Sequence, residues 1–219
     1  MEKLYIGISG VGRSGKDTAA KLLASELESL GYRCAILALA KPLKDQLDDF
    51  CYENFGISTF TERDDHKKII RDLLVGYGSA KRKLSRGRYF VELADARIEN
   101  IDADIFIISD IRYDEYEHDE VYWLKNEHNG VLVHVSRFYF DEITEKDNGE
   151  WQGLNGRSFI QPANSHELEN NCKLEEKADF KFSWPNFEKD HESKCLPYVE
   201  KIIQWLIDNR KISLKYSPV

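Results

Sequence analysis

No apolar run in this chain is long enough to span a bilayer, and no cysteine pair has the spacing of a zinc site or a redox motif. Cys34, Cys51, Cys172 and Cys195 lie far apart, with no C-x-x-C among them. Scattered thiols of this kind fit a reducing compartment better than a disulfide framework. A secretory leader is also missing from the start: Met1-Glu2-Lys3 runs straight into a strand-like segment, so the cytoplasm is the expected location. Internal repeats and low-complexity tracts are lacking, and with 219 residues one domain with insertions, spanning 1–219, is expected. Positive charge is scarce overall. Lys and Arg number 31 against 39 Asp and Glu, a formal net charge of −8. That balance argues against a chain whose main work is holding long nucleic acid. The scarcity is uneven, however. Basic residues are frequent between Lys41 and Arg88, while the chain after about Glu142 is largely acidic, so an anionic ligand is expected against the basic middle.

What is present begins with Gly10-Val-Gly12-Arg13-Ser14-Gly15-Lys16-Asp17-Thr18. A strand-like run, Leu4 to Ile8, precedes it, and Ala19 to Ala24 continues it as a helix. A Gly-rich turn between strand and helix aims several backbone N–H groups at one point. The helix start adds its unpaired N–H groups and the positive end of its dipole. Lys16 adds a full charge. The spacing follows the phosphate-binding P-loop through Gly10-x-x-x-x-Gly15-Lys16 and then departs, because Asp17 stands where Ser or Thr is usual. A strict pattern would reject it. A carboxylate at that place is nevertheless a good hard ligand for a Mg2+ ion bridging the β- and γ-phosphates of ATP, directly or through water. Thr18 is then free to donate to the α-phosphate. The structural alternative is a Gly-rich turn that merely starts a helix, with Asp17 favouring the dipole.

Farther along, strand-like and helix-like segments alternate. Cys34–Leu39, Ile105–Ser109, Gly130–Val135 and, more weakly, Ala178–Ser183 read as strands. Lys41 to about Phe55, Glu62 to about Gly76, Arg88–Ile101 and a closing stripe from Leu196 to Ile207 read as helices. The pattern predicts an α/β fold: a doubly wound, mainly parallel five-stranded sheet flanked by helices, with ligands at the C-terminal strand ends. Tyr139 to about Asn170 has few apolar runs and reads as a mobile insertion, a lid. Ile105-Phe-Ile-Ile-Ser-Asp110 has the Walker B arrangement, which makes Asp110 a second candidate for the Mg2+ site. The alternative is a capping Asp before a helix over Tyr113–Asn126. Arg112 follows near the expected phosphate pocket. A basic run from Lys81 to Arg88 contains Arg82 and Arg88, whose planar forks suit a phosphate better than the lysines around them. Tyr77, Tyr89 and Phe90 are available either to stack a base or to fill a core.

Taken together these marks resemble the deoxynucleoside monophosphate kinases of bacteriophages and, more distantly, the animal-type phosphomevalonate kinases. The resemblance rests on Arg13-Ser-Gly-Lys-Asp-Thr18, Lys41-Pro-Leu-Lys44, Gly78-Ser-Ala-Lys-Arg82, Ser109-Asp-Ile-Arg112, Val133-His-Val-Ser-Arg137 and Ser165-His-Glu-Leu-Glu169. It implies transfer of the γ-phosphoryl group of ATP, with Mg2+, to a phosphate monoester in the cytoplasm, the host's if the chain is phage-encoded. Gly10, Gly12, Arg13, Ser14, Gly15, Lys16, Asp17 and Thr18 would hold ATP, and Asp17 and Asp110 the metal. Lys41, Lys44, Arg82, Arg88 and Arg112, within or just beyond a helical region over about 41–101, would hold the acceptor. Arg137 and the lid residue Arg157 would cover the transferring group. The partners implied are small-molecule nucleotides and no membrane, with a homodimer left open. Three other readings stand beside this one: a kinase of 5-hydroxymethyluracil in phage DNA, a phosphomevalonate kinase, and a non-catalytic nucleotide-binding regulator. A GTPase would carry N-K-x-D, which the chain lacks.

Overall fold

In the computed structural model the described residues are 3–140, 144–145, 151–152, 156–187 and 192–213. Elements follow in the order β1 (Leu4–Ser9), α1 (Lys16–Ser29), β2 (Cys34–Leu37), α2 (Lys41–Phe55), α3 (Asp64–Ser85), α4 (Arg88–Ile98) and β3 (Ile105–Ile111). A short α5 (Glu120–Tyr122) runs into a π-helical turn, Trp123–Glu127. Then come β4 (Val131–Phe140), β5 (Thr144–Glu145), β6 (Trp151–Gln152), β7 (Arg157–Phe159), α6 (Ser165–Lys177), β8 (Phe180–Pro185) and α7 (Glu192–Asp208).

Five strands pair in parallel in the order β2-β3-β1-β4-β8, as expected, and β7 adds a sixth, antiparallel to the far end of β4. The alternation of strand side chains explains why both faces are covered. Ile6, Ile8, Ile105, Ile107, Val131, Val133 and Val135 face α1 and α7, where Leu23, Leu27, Val199, Ile202 and Leu206 meet them. Tyr5, Phe106, Ile108 and Leu132 face the other way, onto Phe90, Val91 and Ala94 of α4, Trp123 and Leu124 of the π-helical turn, and Leu174 of α6. The loop after β1 and the end of β3 therefore come out side by side on one edge of a doubly wound sheet.

Three sequence expectations change. The helix expected over 62–76 runs on to Ser85, so the basic residues Lys81–Lys83 belong to its last turns. Gly76 and Gly78 did not stop it: Gly78 lets Leu43 of α2 pack closely, since a Cβ there would lie 2.8 Å from the Leu43 side chain. The helix expected over 113–126 begins only at Glu120, because Asp119 caps it and accepts from the Glu120 amide at 2.9 Å. The segment expected as a lid to about Asn170 is helical from Ser165, with Asn164 as cap, and contributes β7 before that. Residues 141–143, 146–150 and 153–155 of that segment lie outside the described residues.

Candidate active site

The Gly10–Lys16 loop wraps the start of α1. Gly15 has φ 94, and a Cβ there would sit 2.6 Å from both Arg137 Nη2 and the Trp184 ring. Gly10 has φ 141, and its Cβ would meet the Val135 carbonyl at 2.2 Å. Only glycine fits either place. Arg13 also adopts a left-handed φ of 66, which helps turn successive loop amides toward one side. From behind, Trp184 Nε1 donates to the Ser14 carbonyl at 2.8 Å. Ser14 is fully buried with its hydroxyl turned inward beneath Gly10, so it serves the loop through its backbone. Gly12, Arg13, Gly15, Lys16, Asp17 and Thr18 line a cavity of about 410 Å3 together with Asp110, Arg112 and Arg137.

Lys16 Nζ donates at 2.8 Å to the carbonyls of Gly10 and Val11. Burial, and after it the Arg112 guanidinium, lower its pKa to about 8 against the pull of Asp17, Asp110 and Glu167. Asp110, at the end of β3, is buried and accepts from the amides of Leu39 at 2.6 Å and Ala40 at 3.0 Å. It thereby pins the β2–α2 turn. Each carboxylate oxygen keeps a second lone pair. Asp17 is exposed and also lines this cavity. Among the described residues no cluster of three or more His, Cys, Asp or Glu is arranged to hold a cation alone. Two carboxylates flanking a phosphate cradle nevertheless fit Mg2+, which takes one or two protein ligands and fills its octahedron with phosphate oxygens and water.

A second cavity, of about 430 Å3, opens beside the first and shares Gly12, Asp110 and Arg112 with it. Its walls include Leu39 and Ala40 before α2, Leu43 and Lys44 at its start, Phe90 from α4, Tyr113 and Glu120 after β3, and one stripe of α3. That stripe is Lys67, Ile70, Arg71, Leu74, Val75, Gly78, Ser79 and Arg82, at helical three- and four-residue spacing. Lys67 and Arg71 were missed from the sequence. Extending α3 past Gly76 would have revealed them, because the stripe then reads continuously into Arg82.

Of the expected acceptor residues, Lys44, Arg82 and Arg112 line this cavity and Lys41 and Arg88 do not. Lys41 pairs with Asp45 at 2.8 Å, and Arg88 turns its fork on Glu127 at 2.7 Å and 3.0 Å. Arg82 forms part of the wall, its fork 3.8 Å from the centroid of the Tyr113 ring and engaged by acidic side chains. Nη1 donates to Glu120 at 2.9 Å and Nη2 to Asp119 at 2.6 Å, with Glu115 3.6 Å away. The other Glu120 oxygen accepts from the amides of Arg112 at 2.6 Å and Tyr113 at 3.0 Å. Tyr77 and Tyr89 share Gln46 through their hydroxyls, leaving Phe90 and Tyr113 as the aromatic faces of the cavity. Arg157 lies over the Phe138 ring, 4.6 Å from its centroid, and lines neither cavity. Arg137 lies against Gly15 and lines the first cavity, its Nε buried without a hydrogen-bond partner.

A lysine-bearing phosphate cradle sharing its rim with a second, acceptor-sized chamber is the working arrangement of a P-loop phosphotransferase. The phosphomevalonate kinase family model matches residues 8–129, more than half of the chain, and the chain belongs to that family. The match covers the loop, the helices that wall the second cavity, and Asp110 to Arg112. No curated protein matches the chain. Among solved structures, shikimate kinase from Acinetobacter baumannii in complex with shikimate is similar at 13% identity over 94% of each chain, with a TM-score of 0.38. Dephospho-CoA kinase from Campylobacter jejuni is similar at 16% identity over 94% of this chain and 99% of that one, with a TM-score of 0.35. Neither likeness bears on the substrate. Among the described residues no helix is long and apolar enough to cross a membrane.

Proposed function

We propose that this protein transfers the γ-phosphoryl group of ATP to the phosphate of a deoxynucleoside monophosphate, with Mg2+, giving the diphosphate. The observation that carries the reading is the shared rim of Gly12, Asp110 and Arg112 between the two cavities. A donor in the loop and an acceptor in the second cavity would bring their phosphates together there, beside Lys16 and Arg112. Phosphoryl transfer asks the protein for positioning and charge neutralisation, and an acceptor phosphate has no proton to lose, so no general base is required. Mg2+, when bound, would neutralise the donor phosphates. Lys16 and the loop amides would hold them, Asp17 and Asp110 would orient the metal's water, and Arg137 would cover the donor. Lys44, Lys67, Arg71 and Arg112 would meet the acceptor phosphate. Phe90 and Tyr113, with Leu43, Ile70 and Leu74, offer a base more flat apolar surface than a small branched acid needs.

A second reading, phosphorylation of mevalonate phosphate, is favoured by the family match and by Lys44, Lys67, Arg71 and Arg112 around the cavity, which suit a dianion with a carboxylate. One experiment separates them: a coupled ADP-release assay across the deoxynucleoside monophosphates, mevalonate phosphate and DNA containing 5-hydroxymethyluracil. Turnover with a deoxynucleoside monophosphate supports the proposal. Turnover confined to mevalonate phosphate or to the DNA replaces it.

A further inference from the structure

One carboxylate already sits on the phosphate loop. Glu167, in the first turn of α6, accepts the Gly12 amide on Oε1 at 2.7 Å. Its other oxygen accepts from the Ala163 amide at 2.6 Å, and Asn164 Oδ1 caps its own amide at 2.8 Å. The side chain is therefore held in place by the helix start it belongs to, in a capping-box-like exchange. Burial opposes its charge, but the Ala163 and Gly12 amides, and after them Arg112 and Lys16, hold the carboxyl below its ordinary pKa. Lys16 meanwhile spends its ammonium on the loop's own carbonyls. The Gly12 amide is thus taken by Glu167 and the Lys16 ammonium by the carbonyls of Gly10 and Val11. Gly12 lies on the rim where the two cavities meet, which is where the last phosphate of a donor would stand.

We infer that Glu167 is a placeholder for the terminal phosphate of the donor: it occupies the Gly12 amide in the free protein and opposes, by like charge, the phosphate that takes its place. The inference rests on the ATP-donor reading and adds a positioning residue to it. ADP has no terminal phosphate at that place, so Glu167 discriminates against ATP alone. Displacing the carboxylate also loosens the first turn of α6. The first two turns are docked on the segment after β3 through His166 to Glu115, Asn170 Nδ2 to Glu115 at 3.0 Å, and the Asp114 amide to Asn170 at 3.1 Å. Donor binding is thereby linked to the segment that carries Arg112.

The test is direct binding of ATP and ADP, by titration calorimetry without acceptor, to the unmodified protein, Glu167→Gln and Glu167→Ala. Gln keeps a hydrogen-bond acceptor for Gly12 and removes the charge, so a merely structural role would leave the ATP-to-ADP preference alone. Two like charges a few ångström apart near a water-facing rim predict that Glu167→Gln binds ATP roughly three- to tenfold more tightly while ADP affinity stays within about twofold. Glu167→Ala is expected to move the preference the same way and serves if the Gln variant does not fold. Equal changes for ATP and ADP, or weaker ATP binding in a folded variant, overturn the inference while leaving the donor reading intact. Failure of the unmodified protein to bind ATP overturns both.

Discussion

Replacing Arg82 by alanine separates two roles that the sequence alone confounds. As a phosphate ligand, Arg82 could be removed at little cost to folding, with the loss appearing only in acceptor affinity. As the wall residue observed, it pairs with buried Asp119 and hydrogen-bonds Glu120, whose carboxyl burial raises to about 8. The side chains of Arg82, Asp119 and Glu120 are 5%, 0% and 4% exposed, and its two terminal nitrogens reach them at 2.6 Å and 2.9 Å. Removing one member of such a group strands the remaining charge, which costs about 3–5 kcal/mol. For a chain of this size each kcal/mol lowers the melting temperature by about 2–4 °C, so Arg82→Ala is expected to melt roughly 6–20 °C lower. The acceptor effect follows from the same geometry. Glu120 holds the Arg112 and Tyr113 amides, and a Glu120 that no longer has Arg82 opposite it fixes Arg112 less well. The acceptor KM is then expected to rise by about tenfold with the ATP KM little changed, as for loss of one positioned charge-assisted contact. Thermal melts and steady-state kinetics on the same preparation decide the matter. Melting within about 2 °C of the unmodified protein, together with a large rise in acceptor KM, would show that Arg82 binds the acceptor directly and that its carboxylate contacts are energetically idle.

Asp17→Asn is expected to lower the rate roughly tenfold or more and to raise the Mg2+ concentration needed for half-maximal rate; an unchanged Mg2+ titration would reduce Asp17 to a helix-start residue. Because Lys16 is lowered to about 8, its ammonium is present below that pH and lost above it, so kcat/KM for ATP should fall as pH rises through about 8; a profile flat to pH 9.5 would count against Lys16 as the phosphate-holding charge. His134 lies 1% exposed on β4, its Nδ1 3.0 Å from Ser9 Oγ, and burial foremost lowers it from 6.5 to about 4. The unfolded chain therefore takes up this proton first. Stability should be unaffected above pH 6.5 and decline toward pH 4 by up to about 3 kcal/mol, measured as urea midpoints. An equal acid slope in His134→Gln would assign the loss to other groups.

The loop and the sheet were legible because local rules carried them. Gly10 and Gly15 are demanded by positive φ and close contacts, and the β1, β3 and β4 runs are buried on both faces, so pattern and structure coincide. The wall of the second cavity was less legible for a definite reason. Gly76 and Gly78 read as punctuation, yet Gly78 is held in α3 by the approach of Leu43, a contact from another helix. With α3 cut short, Lys67 and Arg71 lost their phase relation to Arg82, and Arg82 and Arg88 read alike as free forks. Their partners Asp119, Glu120 and Glu127 lie 37 to 39 positions away, a separation that periodicity does not reach. Glu167 escaped for the same reason. Its helix-cap spacing is visible from Asn164, but the amide it occupies is 155 positions earlier.

That division of labour says where specificity resides. Gly12, Asp110 and Arg112 border both cavities and come from the loop after β1 and from the end of β3, two neighbouring strands of the buried sheet. The sheet fixes their spacing, so on the proposed reading an acceptor phosphate would be brought to that rim. Most of the remaining wall comes from α2, α3 and α4, which pack on one another and on one face of the sheet. Substitutions such as Phe90→Ala or Ile70→Ala can alter those walls without moving the rim. A change of acceptor within this family is then a change of helical side chains over a constant phosphate geometry, and swapping the α3 stripe should alter which monophosphate is used before it alters how ATP is held. If such a swap instead abolished ATP binding, the two cavities would not be the separable donor and acceptor chambers that their common rim implies.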